Sequence, residues 1–222
     1  MTFKYLYKKP TKTNGENEKP PLLILLHGIG ADENDLFGLA PFLDERFFIV
    51  SVQAPFVLPY GGFAWFELFI EPNKPIGYNA KQFEQSRQMI FEFVDEVVAE
   101  HDLDSKKVFL CGFSQGSMMS LSAALSEPEK FAGVVAMSGR AVTEMLSDDN
   151  FDALKDFPIL VTHGTFDPVL PIENGRATKE ILSRLPVRLE YKEYEMGHEI
   201  SQESLRDVSN WLRVELDRHI NG

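Results

Sequence analysis

Short, unbroken apolar runs separated by amphipathic stretches make up most of this chain. LLILL at 22–26, FFIVSV at 47–52, VFLC at 108–111, FAGVVAMS at 131–138 and FPILVTHG at 157–164 are of strand length. Runs without polar alternation suit strands covered on both faces. Two segments alternate instead, as half-buried strands do: Phe3, Tyr5 and Tyr7 with polar neighbours, and VRLEYKEY at 187–194. Helical spacing fills the intervals. Residues 81–100 bring Phe83, Ile90, Val94 and Val97 to one face, and 115–126 follow the strand at 108–112. PIENGRATKEILSRL at 171–185 reads as a helix with Pro171 suited to its first turn. EISQESLRDVSNWLRVEL at 199–216 turns Leu205, Val208, Leu212 and Leu216 inward. Alternating strands and helices predict an α/β fold, with a mostly parallel central sheet and helices on both faces.

Three stretches break the rhythm. Residues 10–20, PTKTNGENEKP, are a polar loop. HGIGADEND, directly after LLILL, is a turn in which Asp32, Asn34 and Asp35 are placed to cap a helix. Residues 53–80 are rich in proline and glycine and crowded with aromatics, among them Phe63, Trp65, Phe66 and Phe69. A loop of that length inside a compact domain is usually functional.

At 222 residues the chain suits a single domain, 1–222, without a separate cap. The 34 acidic against 22 basic residues give a net charge of −12. That sign disfavours nucleic acid and anionic lipid as partners. The acidic pair Asp148–Asp149 reads as solvated surface. One cysteine, Cys111, rules out an intramolecular disulfide and reads as a buried strand residue. The first residues lack a signal-peptide pattern, and no apolar run is long enough for stable membrane insertion. A cytoplasmic protein is expected.

The chemistry concentrates at GFSQG, residues 112–116, where a strand pattern hands over to a helix pattern. A very tight strand-to-helix turn strains its central residue and crowds the positions two before and two after, so glycine suits both. Gly112 and Gly116 meet that need, and Ser114 is thrust above the sheet beside a helix N-terminus. A serine hydroxyl needs a base. Of the five histidines, His101 and His219 lie at helix ends and read as solvated or dipole-stabilising. His27 and His163 each end a buried strand and come near the same edge. His198 sits in the loop before the last helix, after Asp167 in HGTFDPVLP. The order Ser114, Asp167, His198 is that of α/β hydrolases. Oxyanion donors are expected from the backbone N–H of Gln115 and of Ile29 in the HGIG loop.

Taken together, LLHGIGADENDL, GGFAWFEL, GFSQGS, HGTFDPVLP and MGHEIS resemble the phospholipase/carboxylesterase family of small α/β hydrolases, relatives of acyl-protein thioesterases. The HGIGADEND loop resembles the bacterial esterases of that family. The resemblance runs from about residue 20 to the end. It implies a carboxylesterase with Ser114 as nucleophile, Asp167 as acid, His198 as base and Ile29 and Gln115 as oxyanion donors. It also allows a homodimer.

The expected reaction is hydrolysis of a small-molecule carboxylic ester of short to medium acyl chain, through an acyl-enzyme. A thioesterase or lysophospholipase would use the same residues. A non-catalytic binding protein on a hydrolase fold is the rival of another class, and turnover separates the two. Phe63, Trp65, Phe66 and Phe69 have two open readings, an acyl-binding wall or rings that pack the loop, with Trp65 and Phe66 partly structural. Met118 and Met119 read as core. No H-E-x-x-H, G-x-x-x-x-G-K or G-x-G-x-x-G spacing occurs, so neither metal nor cofactor is expected.

Overall fold

The computed structural model describes residues 2–13, 15, 18–69, 77–141 and 151–221, so Asp148–Asp149 lie outside the described residues. The apolar runs become the middle of a seven-stranded sheet. Its strands are β1 (Tyr5–Lys8), β2 (Leu22–Leu26), β3 (Phe48–Val52), β8 (Val108–Phe113), β9 (Gly133–Met137), β10 (Pro158–Gly164) and β11 (Arg188–Tyr194). Their order across the sheet is β1-β3-β2-β8-β9-β10-β11. Only β1 runs antiparallel, on β3, and the remaining pairs are parallel. This is the mostly parallel sheet, covered on both faces, that the alternating pattern predicts.

The strands β2, β3, β8, β9 and β10 are buried almost throughout because helices cover both faces. Leu22, Ile24 and Leu26 of β2 face a core shared with α2 (Ala80–His101), α3 (Gln115–Ser126) and α4 (Ile172–Leu182). Leu23 and Leu25 point the other way, to α1 (Glu33–Phe37) and α5 (Gln202–Asn221). One continuous apolar strand thus feeds two cores, as the two-residue period of a strand requires. The predicted inward residues of α2, namely Phe83, Ile90, Val94 and Val97, are all buried. α3 is buried from Gln115 to Leu125, Met118 and Met119 included, which anchors the turn that precedes it. In α5, Val208, Leu212 and Leu216 are buried and Leu205 is partly so.

Several local expectations change. Asp32 alone caps α1, its side chain accepting from the Asn34 N–H, while Asn34 and Asp35 are inside the helix. Pro171 stands one position before α4 as its cap residue. α5 begins at Gln202 rather than 199, because Ser201 supplies an acceptor for the Ser204 N–H and so marks the helix start. His101 is only partly exposed. It packs on Phe48 at 4.6 Å and on Tyr7 at 5.3 Å, and its Nε2 meets the Tyr5 hydroxyl at 3.1 Å, since α2 ends against the β1–β3 edge.

The aromatic segment is not a structureless loop. β4 (Phe56–Val57) pairs with β5 (Phe63–Ala64), and β6 (Leu68–Phe69) pairs with β7 (Gly77–Tyr78), both antiparallel. Residues 70–76 of this segment lie outside the described residues. No helix among the described residues is long and apolar enough to cross a membrane.

Candidate active site

The chain steps from β2 to β3 on one side and then returns to β8 on the other side of β2. The loops leaving β2 and β8 therefore flank the switch point of the sheet, where open α/β folds form their sites. Ser114 is the first residue beyond β8 and caps α3 with φ 52° and ψ −114°. Holding a non-glycine residue there costs on the order of 1–3 kcal/mol. The Ser114 N–H donates to the Met137 carbonyl at 2.8 Å, and the fully buried α3 fixes the other side. The turn closes only because of its glycines. A Cβ on Gly112 would stand 2.2 Å from the Gly116 carbonyl oxygen, and one on Gly116 would stand 2.0 Å from that of Leu26.

His198 and Asp167 arrive from the loops after β11 and β10. Gly164 lets these loops touch, since a Cβ there would meet the Gly197 carbonyl oxygen at 2.3 Å. The Ser114 hydroxyl lies 3.0 Å from His198 Nε2, and His198 Nδ1 lies 2.7 Å from Asp167 Oδ2. The second carboxylate oxygen of Asp167 accepts the N–H groups of Val169 and Leu170, each at 2.8 Å. The Asp167 side chain is fully buried, while His198 keeps one edge toward solvent and packs on Phe113 at 4.9 Å. A carboxylate on Nδ1–H fixes the tautomer that leaves Nε2 free to accept the serine proton.

The two expected oxyanion donors come to the same place. Gln115 follows Ser114 directly. Gly28 brings the loop after β2 alongside, and a Cβ on it would sit 3.3 Å from Ser114 Cβ. Among the described residues, neither the Ile29 N–H nor the Gln115 N–H has a protein partner. The loop is braced from outside, since the Gly30 N–H donates to the Phe63 carbonyl at 2.8 Å and the Phe63 N–H to that of Ala31 at 3.0 Å. Gly62, at φ +75°, makes this approach feasible, because a Cβ there would overlap Gly30.

The aromatics divide. Trp65 and Phe66 are fully buried. Trp65 packs on Phe3 at 5.6 Å, and Phe66 packs on Phe83 at 5.1 Å. Lifting a side chain of that size into water costs about 2–3 kcal/mol, so both stay in the core and offer no wall to a substrate. Phe63 is half-buried and Phe69 is exposed, and these two keep the substrate-facing reading. Phe166 and Val169, on either side of Asp167, are exposed apolar residues that the sequence reading passed over. Only their adjacency to the acid could have drawn attention to them.

His27 and His163 lie near the site but play other parts. His27 Nε2 accepts the Ala54 N–H at 3.0 Å, so the ring is neutral with its proton on Nδ1, facing the Gly28 carbonyl at 2.7 Å. Burial holds this imidazole below its ordinary pKa. The lone thiol, Cys111, is buried in β8, and burial pushes its pKa up to about 12. A hollow of ≈ 470 Å³ beside the Ile29 loop is lined by Gly30, Ala31, Asp32, Asn34, Asp35 and Gly62. Among the described residues, no three His, Cys, Asp or Glu side chains cluster as metal ligands would.

A family model described as Phospholipase/Carboxylesterase matches residues 9–216. The chain belongs to the phospholipase/carboxylesterase family. Within it, acyl-protein thioesterase 1 of Candida albicans is 29% identical, over 90% of this chain and 94% of that protein. A probable SOBER1-like carboxylesterase of Arabidopsis thaliana is 27% identical, over 90% of this chain and 80% of its own length. Among solved structures, esterase PE8 superposes with a TM-score of 0.78 at 26% identity, covering 96% of this chain and 98% of that one. In this fold Ser114, Asp167 and His198 lie on the loops that follow β8, β10 and β11, at the carboxyl ends of the sheet strands.

Proposed function

We propose that this protein is a serine esterase that hydrolyses carboxylic esters of short to medium acyl chain through Ser114, His198 and Asp167. The observation that carries the reading is the unbroken pair of contacts from Ser114 Oγ to His198 Nε2 at 3.0 Å and from His198 Nδ1 to Asp167 Oδ2 at 2.7 Å. His198 takes the serine proton as Oγ attacks the ester carbonyl carbon. The oxygen of the tetrahedral intermediate takes the Ile29 and Gln115 N–H groups, and Asp167 stabilises the imidazolium. Collapse expels the alcohol, which leaves with the proton from His198. Water then attacks the acyl-enzyme by the same route, releasing the acid and restoring Ser114.

The relatives named carboxylesterase and esterase support an ester as substrate. The relative named as an acyl-protein thioesterase supports a second reading, a thioester at the same carbonyl position. A lysophospholipid would use the same residues, and Asp32 and Asp35 would repel its phosphate only if it sat in the hollow beside the Ile29 loop. Withdrawal of Trp65 and Phe66 into the core leaves the half-buried Phe63 and the exposed Phe69 able to meet an acyl chain.

The test is kcat/KM on p-nitrophenyl esters from acetate to palmitate, beside an acyl-thioester series and the Ser114→Ala variant. An acetate-to-octanoate optimum that disappears in Ser114→Ala supports the proposal. A thioester preference moves the second reading to first place. Turnover that survives in Ser114→Ala overturns the nucleophile, and no turnover in either protein favours a binding role.

A further inference from the structure

His163 is a fully buried histidine beside the site to which the reaction above gives no proton to move. It stands next to last in β10, below the loop that carries Asp167. Its Nε2 lies 2.7 Å from the Leu170 carbonyl oxygen. A carbonyl only accepts, so Nε2 carries a proton and donates it to Leu170. Nδ1 has no partner. It is sealed beneath α4 at Gly175, where a Cβ would come within 2.8 Å of it. Among the described residues, the ring's one hydrogen bond is thus to the loop of the acid.

Leu170 is also what holds the acid. Its N–H and that of Val169 occupy Asp167 Oδ1, each at 2.8 Å, which leaves Oδ2 facing His198 at 2.7 Å. His163 Nε2 is 3.6 Å from Oδ2, too far for a hydrogen bond. The outer side of this loop has little apolar packing to keep it closed, since Phe166 and Val169 both project into solvent. Its closure depends on polar contacts. These include the Thr165 N–H and hydroxyl donating to the Tyr194 carbonyl and the Phe166 N–H to that of Met196 at one end, the Val169 and Leu170 N–H groups on Asp167 within the loop, and His163 holding the Leu170 carbonyl at the other end.

We propose that His163 is a positioning residue: its Nε2–H holds the Leu170 carbonyl, closing residues 165–170 so that two backbone N–H groups fix Asp167 Oδ1 and aim Oδ2 at His198. The proposal rests on the reading of Ser114, His198 and Asp167 as the catalytic set. An apolar residue of similar volume would fill the space under α4 but leave the Leu170 carbonyl unpaired and the loop free to open.

The experiment compares His163→Leu with His163→Gln, whose terminal amide nitrogen reaches about where Nε2 lies. Ser114→Ala runs alongside, and near-UV circular dichroism confirms folding. In His163→Leu, kcat on a p-nitrophenyl ester is expected to fall on the order of 10–100-fold, as for other outer partners of an oriented carboxylate–histidine pair, with KM little changed. His163→Gln is expected to restore most of it. Folded His163→Leu with wild-type kcat, or His163→Gln as slow as His163→Leu, overturns the proposal by making the ring a space-filler. If His163→Leu does not fold, His163→Asn, whose amide is too short to reach Leu170, takes its place. A faster Gln variant then supports the proposal, and equal rates overturn it. Turnover retained in Ser114→Ala would instead overturn the catalytic reading itself, a separate result.

Discussion

The side chain of Gln115 accepts the backbone N–H of Trp65 at 2.8 Å through Oε1, while its Nε2 donates to the neighbouring Phe66 carbonyl at 2.7 Å. The residue after Ser114 therefore clasps the aromatic segment, and the segment clasps back. The Trp65 indole N–H donates to the His27 carbonyl at 2.9 Å, at the root of the oxyanion loop. Ser86 of α2 closes the set by donating to the Trp65 carbonyl at 2.5 Å. The loops that supply the two expected oxyanion donors are tied together through one buried tryptophan.

Gln115→Ala tests that tie, because it keeps the backbone N–H and removes only the clasp. It leaves a buried N–H and a buried carbonyl unpaired, at a cost of about 2–4 kcal/mol. Urea unfolding is expected to show that loss, together with a fall in kcat/KM of at least about tenfold from a loosened oxyanion loop. Unchanged kinetics in a destabilised variant would restrict the clasp to a structural role.

Asp167→Asn keeps the shape of the acid and removes its charge. The amide can place an N–H against His198 Nδ1, favouring the wrong tautomer. A fall in kcat on the order of 10⁴ is expected from the behaviour of such triads. Steady-state kinetics on a p-nitrophenyl ester reads it, and a loss of only a few-fold would mean that another residue orients His198.

The turn at Ser114 should tolerate no side chain at Gly116. A Cβ there would be 2.0 Å from the Leu26 carbonyl oxygen and 2.6 Å from that of His27, both backbone atoms of a buried strand end. Gly116→Ala is expected to cost about 3 kcal/mol or more. Gly30→Ala is the contrast. That site has open space around it but a φ of +85°, so only backbone strain of about 1 kcal/mol is expected. Urea midpoints of the two variants check the difference.

His27 should make stability depend on pH. Its folded pKa is lowered by burial, so below the ordinary value of about 6.5 the unfolded chain binds the extra proton and the folded chain resists it. The contribution is complete above about pH 6.5 and is lost as pH falls below it, at up to about 1.4 kcal/mol per pH unit. Protonation would also put a proton on Nε2, where the Ala54 N–H now donates. Thermal unfolding between about pH 7 and pH 5 should therefore decline more steeply in the wild type than in His27→Gln. Parallel slopes would remove His27 from the balance.

Much of this was legible in the linear chain because it depends on local spacing. A run such as LLILL, between turn residues, has strand length and no polar face, so burial on both sides follows from period alone. Gly112, Ser114 and Gly116 mark a tight turn because only glycine fits beside a strained central residue. Their meaning comes from the strand before and the helix after, both visible in the spacing. The chain order Ser114, Asp167, His198 was likewise readable, together with the family resemblance.

Tertiary structure decided what depends on neighbours distant along the chain. The sequence left Trp65 and Phe66 open between substrate wall and packing, since an aromatic beside glycines can do either. Contact with Phe3 and Phe83 draws both into the core. His101 read as solvated or dipole-stabilising from its place at a helix end, and it does stand in the last turn of α2, with the aromatic edge of β1 and β3 beneath it. His27 and His163 read alike, each a histidine before glycine at a strand end, but one accepts from Ala54 and the other donates to Leu170. Protonation and hydrogen-bond roles follow from which groups face a ring in space. Periodicity specifies which side of an element is buried, and only the assembled sheet specifies against what.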